Sequence, residues 1–311
     1  MSDPLQRRPD VLVLAAGGTL GEAWMSGLLS GIESETAIDF RACEHFVGTS
    51  AGSIVAATLA AGRSPREAGE PEAGLGAEGS AAVAGGLGPG GFPGAVLGGL
   101  GRAAALAAVP LAPLALAGAA PGGALARSAL LRLSPAPRAS LTQLGAYVRS
   151  LRTRFDGRLR ICVVDRGSGR RVIFGAPRAP AASVTDAVLA SCAVPWIFPA
   201  QRIGAREYVD GGVWSPTNLD AAPVGRGAEV LCLNPTASLA AAGSPFGLLR
   251  LASQGAATVE ALALRGRGAS VRTLAPDAAA ARAMGVNLMD PARRAEVLAA
   301  GFRQGRALGM G

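Results

Sequence analysis

Three observations predict an α/β fold of three layers, with a mostly parallel central sheet between helices. Short, largely apolar runs (residues 11–16, 46–49, 159–164 and 230–233), the first continuous and closed by glycine, have the length of strands buried on both faces. Segments with helical periodicity alternate with them, the pattern of βαβ units. The first two runs each open into a glycine turn that passes straight into a helix-favouring stretch. The 311 residues are enough for one large domain over the whole chain, 1–311.

The first strand, 11–16, is preceded by Arg7-Arg8 but is too short for the apolar core of a signal sequence. It runs into Gly17-Gly18-Thr19-Leu20-Gly21 and then a helix over 22–33, whose Trp24, Leu28, Leu29 and Ile32 share a face. A strand, a glycine loop and a helix present backbone N–H groups to an anion. The longer glycine fingerprint of a dinucleotide fold is missing, so an oxyanion hole is the better use of this loop.

The second unit is Phe46-Val47-Gly48-Thr49-Ser50-Ala51-Gly52-Ser53. A Gly-x-Ser-x-Gly at a strand end, followed by a helix over 51–61, is the nucleophile-elbow pattern. Gly48 and Gly52 leave room where strand and helix nearly touch, and the helix N-terminus points its free N–H groups at Ser50.

Residues 64–139 differ in kind. They are rich in Ala, Gly and Pro, and 103–126 carry no charge. Prolines and small side chains argue against a membrane span. A helical lid or flexible insertion that divides the core, and that could lie on lipid, is the expectation. Beyond it the reading gives a helix at 141–154, the strand at 159–164 and a hairpin turn at Gly167-Ser168-Gly169 into 172–174. A helix from 184 then leads into 190–199, a short strand at 207–209 ends in Asp210-Gly211-Gly212, and core strands follow at 230–233 and 271–274. Helices near 248–264 and 291–308 complete the chain.

Composition narrows the function. Thirty basic against 22 acidic residues give a net charge of +8, which would favour peripheral contact with an anionic lipid surface. Solvated arginines on an arginine-rich background are the plainer reading. Nucleic acid is excluded as a partner because the arginines are scattered and aromatics are only 4%. Cys43, Cys162, Cys192 and Cys232 form no metal or redox spacing and read as buried thiols of a reducing, cytoplasmic setting.

The histidine census decides what could activate Ser50. The chain has one, His45, on the same strand five residues earlier, roughly 16 Å away if the strand is straight. A triad ending in histidine is therefore ruled out, and a carboxylate must serve as base if Ser50 reacts at all. Asp210, backed by Gly211 and Gly212, is the first candidate. Asp165, at a strand end, and Asp186, early in a helix, are rivals with structural explanations of their own.

Taken in order, four blocks resemble those of the patatin-like phospholipases of bacterial type. They are the loop Ala16-Gly17-Gly18-Thr19-Leu20-Gly21, the elbow Gly48-Thr49-Ser50-Ala51-Gly52, the segment Ala190-Ser191-Cys192-Ala193-Val194-Pro195, and Asp210-Gly211-Gly212 with Pro216-Thr217-Asn218 after it. The resemblance spans residues 11–223 apart from most of 64–139. It implies a Ser50–Asp210 dyad that acts on acyl-lipid esters through an acyl-enzyme, without metal or cofactor. The N–H groups of Gly17 and Gly18, with Ala51 contributing, would form the oxyanion hole, supported by Gly21, Gly48, Gly52, Gly211 and Gly212. Two positions depart from the family pattern: Ala16 stands for a glycine and Leu20 for a basic residue. Leu20 leaves open slow turnover, an altered substrate or, with the apolar segment 103–126, a catalytically silent lipid- or partner-binding protein; an acyltransferase to an alcohol or lysolipid is a further alternative.

Overall fold

The computed structural model describes residues 5, 7–65, 124–132, 140–238, 245–285 and 287–310. Its centre is one eight-stranded mixed sheet, mostly parallel, formed by β1 (Val11–Leu14), β2 (His45–Thr49), β3 (Leu159–Asp165), β4 (Arg171–Phe174), β5 (Gln201–Ile203), β6 (Arg206–Asp210), β7 (Glu229–Leu233) and β8 (Ser270–Leu274). Around it lie α1 (Gly18–Glu35), α2 (Ala51–Ala60), α3 (Ala124–Arg132), α4 (Thr142–Ser150), α5 (Val184–Ser191), α6 (Pro245–Gly266), α7 (Ala278–Met284) and α8 (Arg294–Gly309). The α/β class read from the sequence is the one observed.

Strand alternation sorts the core into two sides. Leu12, Leu14, Phe46, Leu159, Ile161 and Val163 face the larger cluster, which includes residues of α1, α2, α4, α5, α7 and α8. Val11, Val13, Val47, Cys162, Val230 and Cys232 face the smaller one, with Ala261 and Leu264 of α6. The four cysteines are buried free thiols.

Pairing along β3 positions the site. β2 runs parallel to β3 up to the Thr49–Cys162 pair. β4 is antiparallel to β3 over Ile161–Val164, so it occupies the opposite edge from β2. β6 also pairs antiparallel with β3, at Val163–Asp165, and must therefore share the edge of β2. Thus β2 and β6 approach each other head-on beside β3, and their C-terminal ends, Thr49 and Asp210, meet at the junction.

Several boundaries differ from the sequence reading. α1 begins at Gly18 instead of residue 22, because the Gly21 N–H already donates to the Gly17 carbonyl at 2.8 Å and the loop winds directly into the first turn. α5 stops at Ser191, and 192–199 turn back to deliver β5, a short strand with too little apolar pattern to be read. The helix α7 was likewise not foreseen. The proline at 291 opens a 3-10 turn, Pro291–Arg293, before α8 starts. The insertion at 64–139 lies outside the described residues, apart from its first residues 64 and 65 and the helix α3. Among the described residues no helix is long and apolar enough to cross a membrane.

Candidate active site

Ser50 sits between β2 and α2 with φ 52° and ψ −124°, a left-handed backbone that costs a non-glycine residue about 1–3 kcal/mol. The strain is imposed by close packing: a Cβ at position 52 would lie 2.0 Å from the Leu14 carbonyl oxygen, so only glycine lets α2 start against β1. The Ser50 side chain makes no cap bond to its own helix. Its backbone N–H instead donates to Ser191 Oγ at 2.9 Å, and that hydroxyl donates onward to the Cys162 carbonyl at 2.8 Å.

Asp210 ends β6. Its backbone N–H donates to the Ala193 carbonyl at 3.0 Å. Its Oδ1 accepts the Gly212 N–H at 2.6 Å, while Oδ2 is buried with no hydrogen-bond partner among the described residues. Burial pushes the carboxyl up to about 7, against the opposing pull of the Ser50 hydroxyl and the Gly212 N–H. The Ser50 hydroxyl is therefore close enough to the carboxyl to favour its ionised form. Both are almost wholly buried, at 3% and 2% exposure. Gly211 must be glycine here, because a Cβ would sit 2.2 Å from the Cys162 carbonyl oxygen.

The glycine loop after β1 borders the same junction. A Cβ on Gly212 would touch Ala16 Cβ at 3.5 Å, so the loop passes beside the Asp210 turn. The Ala16 N–H donates to Pro216 O at 2.8 Å and the Gly21 N–H to Gly17 O at 2.8 Å. The N–H groups of Gly17, Gly18 and Ala51 have no partner among the described residues. Leu20, at the position that the resemblance marks as basic, is a fully buried core residue. A guanidinium or ammonium there would enter the hydrocarbon interior.

The rivals of Asp210 are occupied elsewhere. On Asp165, burial acts to raise the pKa but is outweighed by hydrogen bonds from Ser168 and the ion pair with Arg206 at 2.9 Å, which hold it low. Asp186 accepts the Ser183 hydroxyl at 2.7 Å in a cap at the start of α5. His45 lies at the far end of β2 from Ser50.

Two contributors lay in blocks that the sequence reading singled out but were given no role in the site. The segment 190–195 grips both halves of the site, Ser191 holding the serine backbone and Ala193 the aspartate backbone. Asn218, in left-handed conformation at φ 46°, donates through Nδ2 to Thr49 Oγ1 at 3.1 Å, Gly211 O at 3.2 Å and Ser215 O at 2.6 Å. It thereby ties the end of β2 to the turn after β6. Its Oδ1 accepts from Arg171 at 3.0 Å, and Arg171 is in turn clamped by Asp220. An asparagine a few residues past an Asp-Gly-Gly turn was the available signal, but only the fold reveals its partners. Among the described residues no group of three or more His, Cys, Asp or Glu side chains could hold a metal ion.

A strained serine elbow, a neighbouring buried carboxyl and a glycine loop thus gather at the strand ends of a mixed, mostly parallel sheet with helices around it, an α/β architecture. A family model described as patatin-like phospholipase matches residues 12–223, and the chain belongs to that family, whose members are generally lipid acyl hydrolases. Among solved structures, VipD from Legionella pneumophila is similar at 14% sequence identity and a TM-score of 0.43, over 97% of this chain and 67% of that one. No curated protein matches the chain.

Proposed function

We propose that this chain hydrolyses acyl esters of phospholipids or related lipids, with Ser50 as nucleophile and Asp210 as its base. The observation that supports the reading is the buried Asp210 carboxyl beside the Ser50 hydroxyl, with no partner for Oδ2 among the described residues and burial pushing the carboxyl up to about 7. A base with a pKa near the working pH is the most effective proton acceptor.

In the first step Ser50 Oγ attacks the ester carbonyl carbon while its proton passes to Asp210 Oδ2. The N–H groups of Gly17 and Gly18, with Ala51, hold the negative oxygen of the tetrahedral intermediate. Collapse expels the alcohol, which leaves with the proton from Asp210, and an acyl-serine remains. Water then attacks the acyl carbon, gives a proton to Asp210, and the second collapse returns that proton to Ser50 as the fatty acid departs. The dyad acts without metal or cofactor, and the net positive charge favours a peripheral position at an anionic lipid surface.

The test is covalent. A fluorophosphonate ester should form one adduct, mapped to Ser50 and absent from Ser50→Ala; labelling unchanged in that variant would refute the proposal. A second reading, a lipid-binding protein without turnover, draws on Leu20 being a core residue. Multiple-turnover hydrolysis of a p-nitrophenyl ester that is lost in Asp210→Asn would count against it. Added alcohol or lysolipid becoming acylated would identify a transferase instead.

A further inference from the structure

The family match ends at residue 223, yet the first turn of α1 is held by residues far beyond it. The Leu20 N–H donates to the Leu288 carbonyl at 2.9 Å. A Cβ at Gly18 would lie 2.8 Å from both that carbonyl oxygen and Met289 Sδ, so residues 288 and 289 sit directly against the glycine loop. One residue past Gly21, Glu22 is buried at 1% exposure, and its two carboxylate oxygens lie 3.2 and 3.1 Å from Arg294 Nη2. Behind this turn the helices α1 and α8 cross with their backbones nearly in contact. A Cβ at Gly27 or Gly31 would meet α8 carbonyls at 2.2 Å, and one at Gly305 would meet the Leu28 carbonyl at 2.2 Å.

We propose that Arg294 is a positioning residue for the oxyanion loop, fixing through Glu22 the turn from which the Gly17 and Gly18 N–H groups project. A buried ion pair is weak grounds for stability, since apolar residues of similar volume often serve as well. What this pair supplies is direction. With Arg294 Nη2 held at 3.2 and 3.1 Å from its two oxygens and burial keeping solvent away, the Glu22 carboxylate is tied to one place on α8, and the glycine crossing of α1 on α8 leaves the helix body no freedom to compensate. The Gly21 N–H to Gly17 O bond then transmits that orientation across the loop. Gly17 and Gly18 have no side chains to fix the direction of their own N–H groups, so that direction must come from their neighbours, Leu20 packed in the core on one hand and the Glu22 turn on the other. The inference rests on the hydrolase reading for its catalytic consequence but not for the mechanical one.

The experiment compares the parent with Glu22→Met/Arg294→Met, which keeps the volume and removes both charges, and with Arg294→Lys. The double variant should keep its unfolding midpoint while amide hydrogen exchange at residues 17–21 accelerates about tenfold, with the β1 amides unchanged. On a p-nitrophenyl ester its kcat should fall roughly 10- to 100-fold with KM within about twofold, and Arg294→Lys should recover part of that loss. Unchanged exchange at 17–21 in a folded double variant overturns the proposal, as does unchanged kcat. Faster exchange spread evenly over α1 and β1 with a lowered midpoint also overturns it, because the pair would then be merely structural. If the parent itself shows neither turnover nor a Ser50 adduct, the hydrolase reading fails, and the exchange data still decide whether Arg294 holds the loop.

Discussion

Ser50 and Asp210 meet at the head-on junction of β2 and β6, but they are held there by different means. The serine is set by hard contacts: Gly52 against the Leu14 carbonyl, a forced left-handed φ, and Ser191 on its N–H. The aspartate is set by softer ones, a backbone bond to Ala193 and a single Gly212 N–H on one of its two oxygens. The nucleophile side of the site thus stores steric strain, and the acid side stores unsatisfied polarity. A rigid hydroxyl beside an under-solvated carboxyl is the arrangement in which moving one proton relieves the most electrostatic cost.

The contrast can be broken on the steric side first. Gly52→Ala places a methyl 2.0 Å from backbone oxygen, and α2 must shift as a whole; we expect a loss of about 3 kcal/mol in urea denaturation and no fluorophosphonate labelling of Ser50. Ser191→Ala leaves the buried Ser50 N–H and Cys162 carbonyl without their shared partner, at about 2 kcal/mol in the same assay. Asn218→Ala removes the amide whose two N–H hydrogens are shared among Thr49, Gly211 and Ser215, and about 1 kcal/mol of stability should go with slower Ser50 labelling.

On the electrostatic side the effect is one of pH. Because the folded carboxyl of Asp210 is raised from its ordinary 3.8 to about 7, its contribution to stability is complete at low pH and is lost as pH rises through that interval. Glu22, raised to about 7 chiefly by burial, acts in the same direction. Asp210→Asn should therefore lose less stability than the parent between pH 4 and 8 in parallel denaturation series.

The division between sterics and polarity also explains what could be read from the sequence. The elbow was legible because Gly48, Ser50 and Gly52 are local: the residues that force the turn lie within it. The strands at 11–16 and 230–233 were legible because buried parallel strands are continuous apolar runs. Asp210 could be nominated only by eliminating histidine and by the two glycines that follow it, since its burial is produced by β3, β6 and residues 190–195 coming together. Ser191 and Asn218 were invisible as site residues, because their partners are 141 and 169 positions away along the chain. Leu20 was expected as a gap where a cation belongs, and the fold shows it as a core side chain.

The most direct measurement is the pH dependence of Ser50 phosphonylation in the parent and in Asp210→Asn. The account predicts a rate that rises with pH to a plateau, with a midpoint near 7 as Asp210 ionises, and a fall of at least about 100-fold in the variant, with the midpoint abolished. A parent profile flat from pH 5 to 9, or a variant that reacts as fast as the parent, would contradict it.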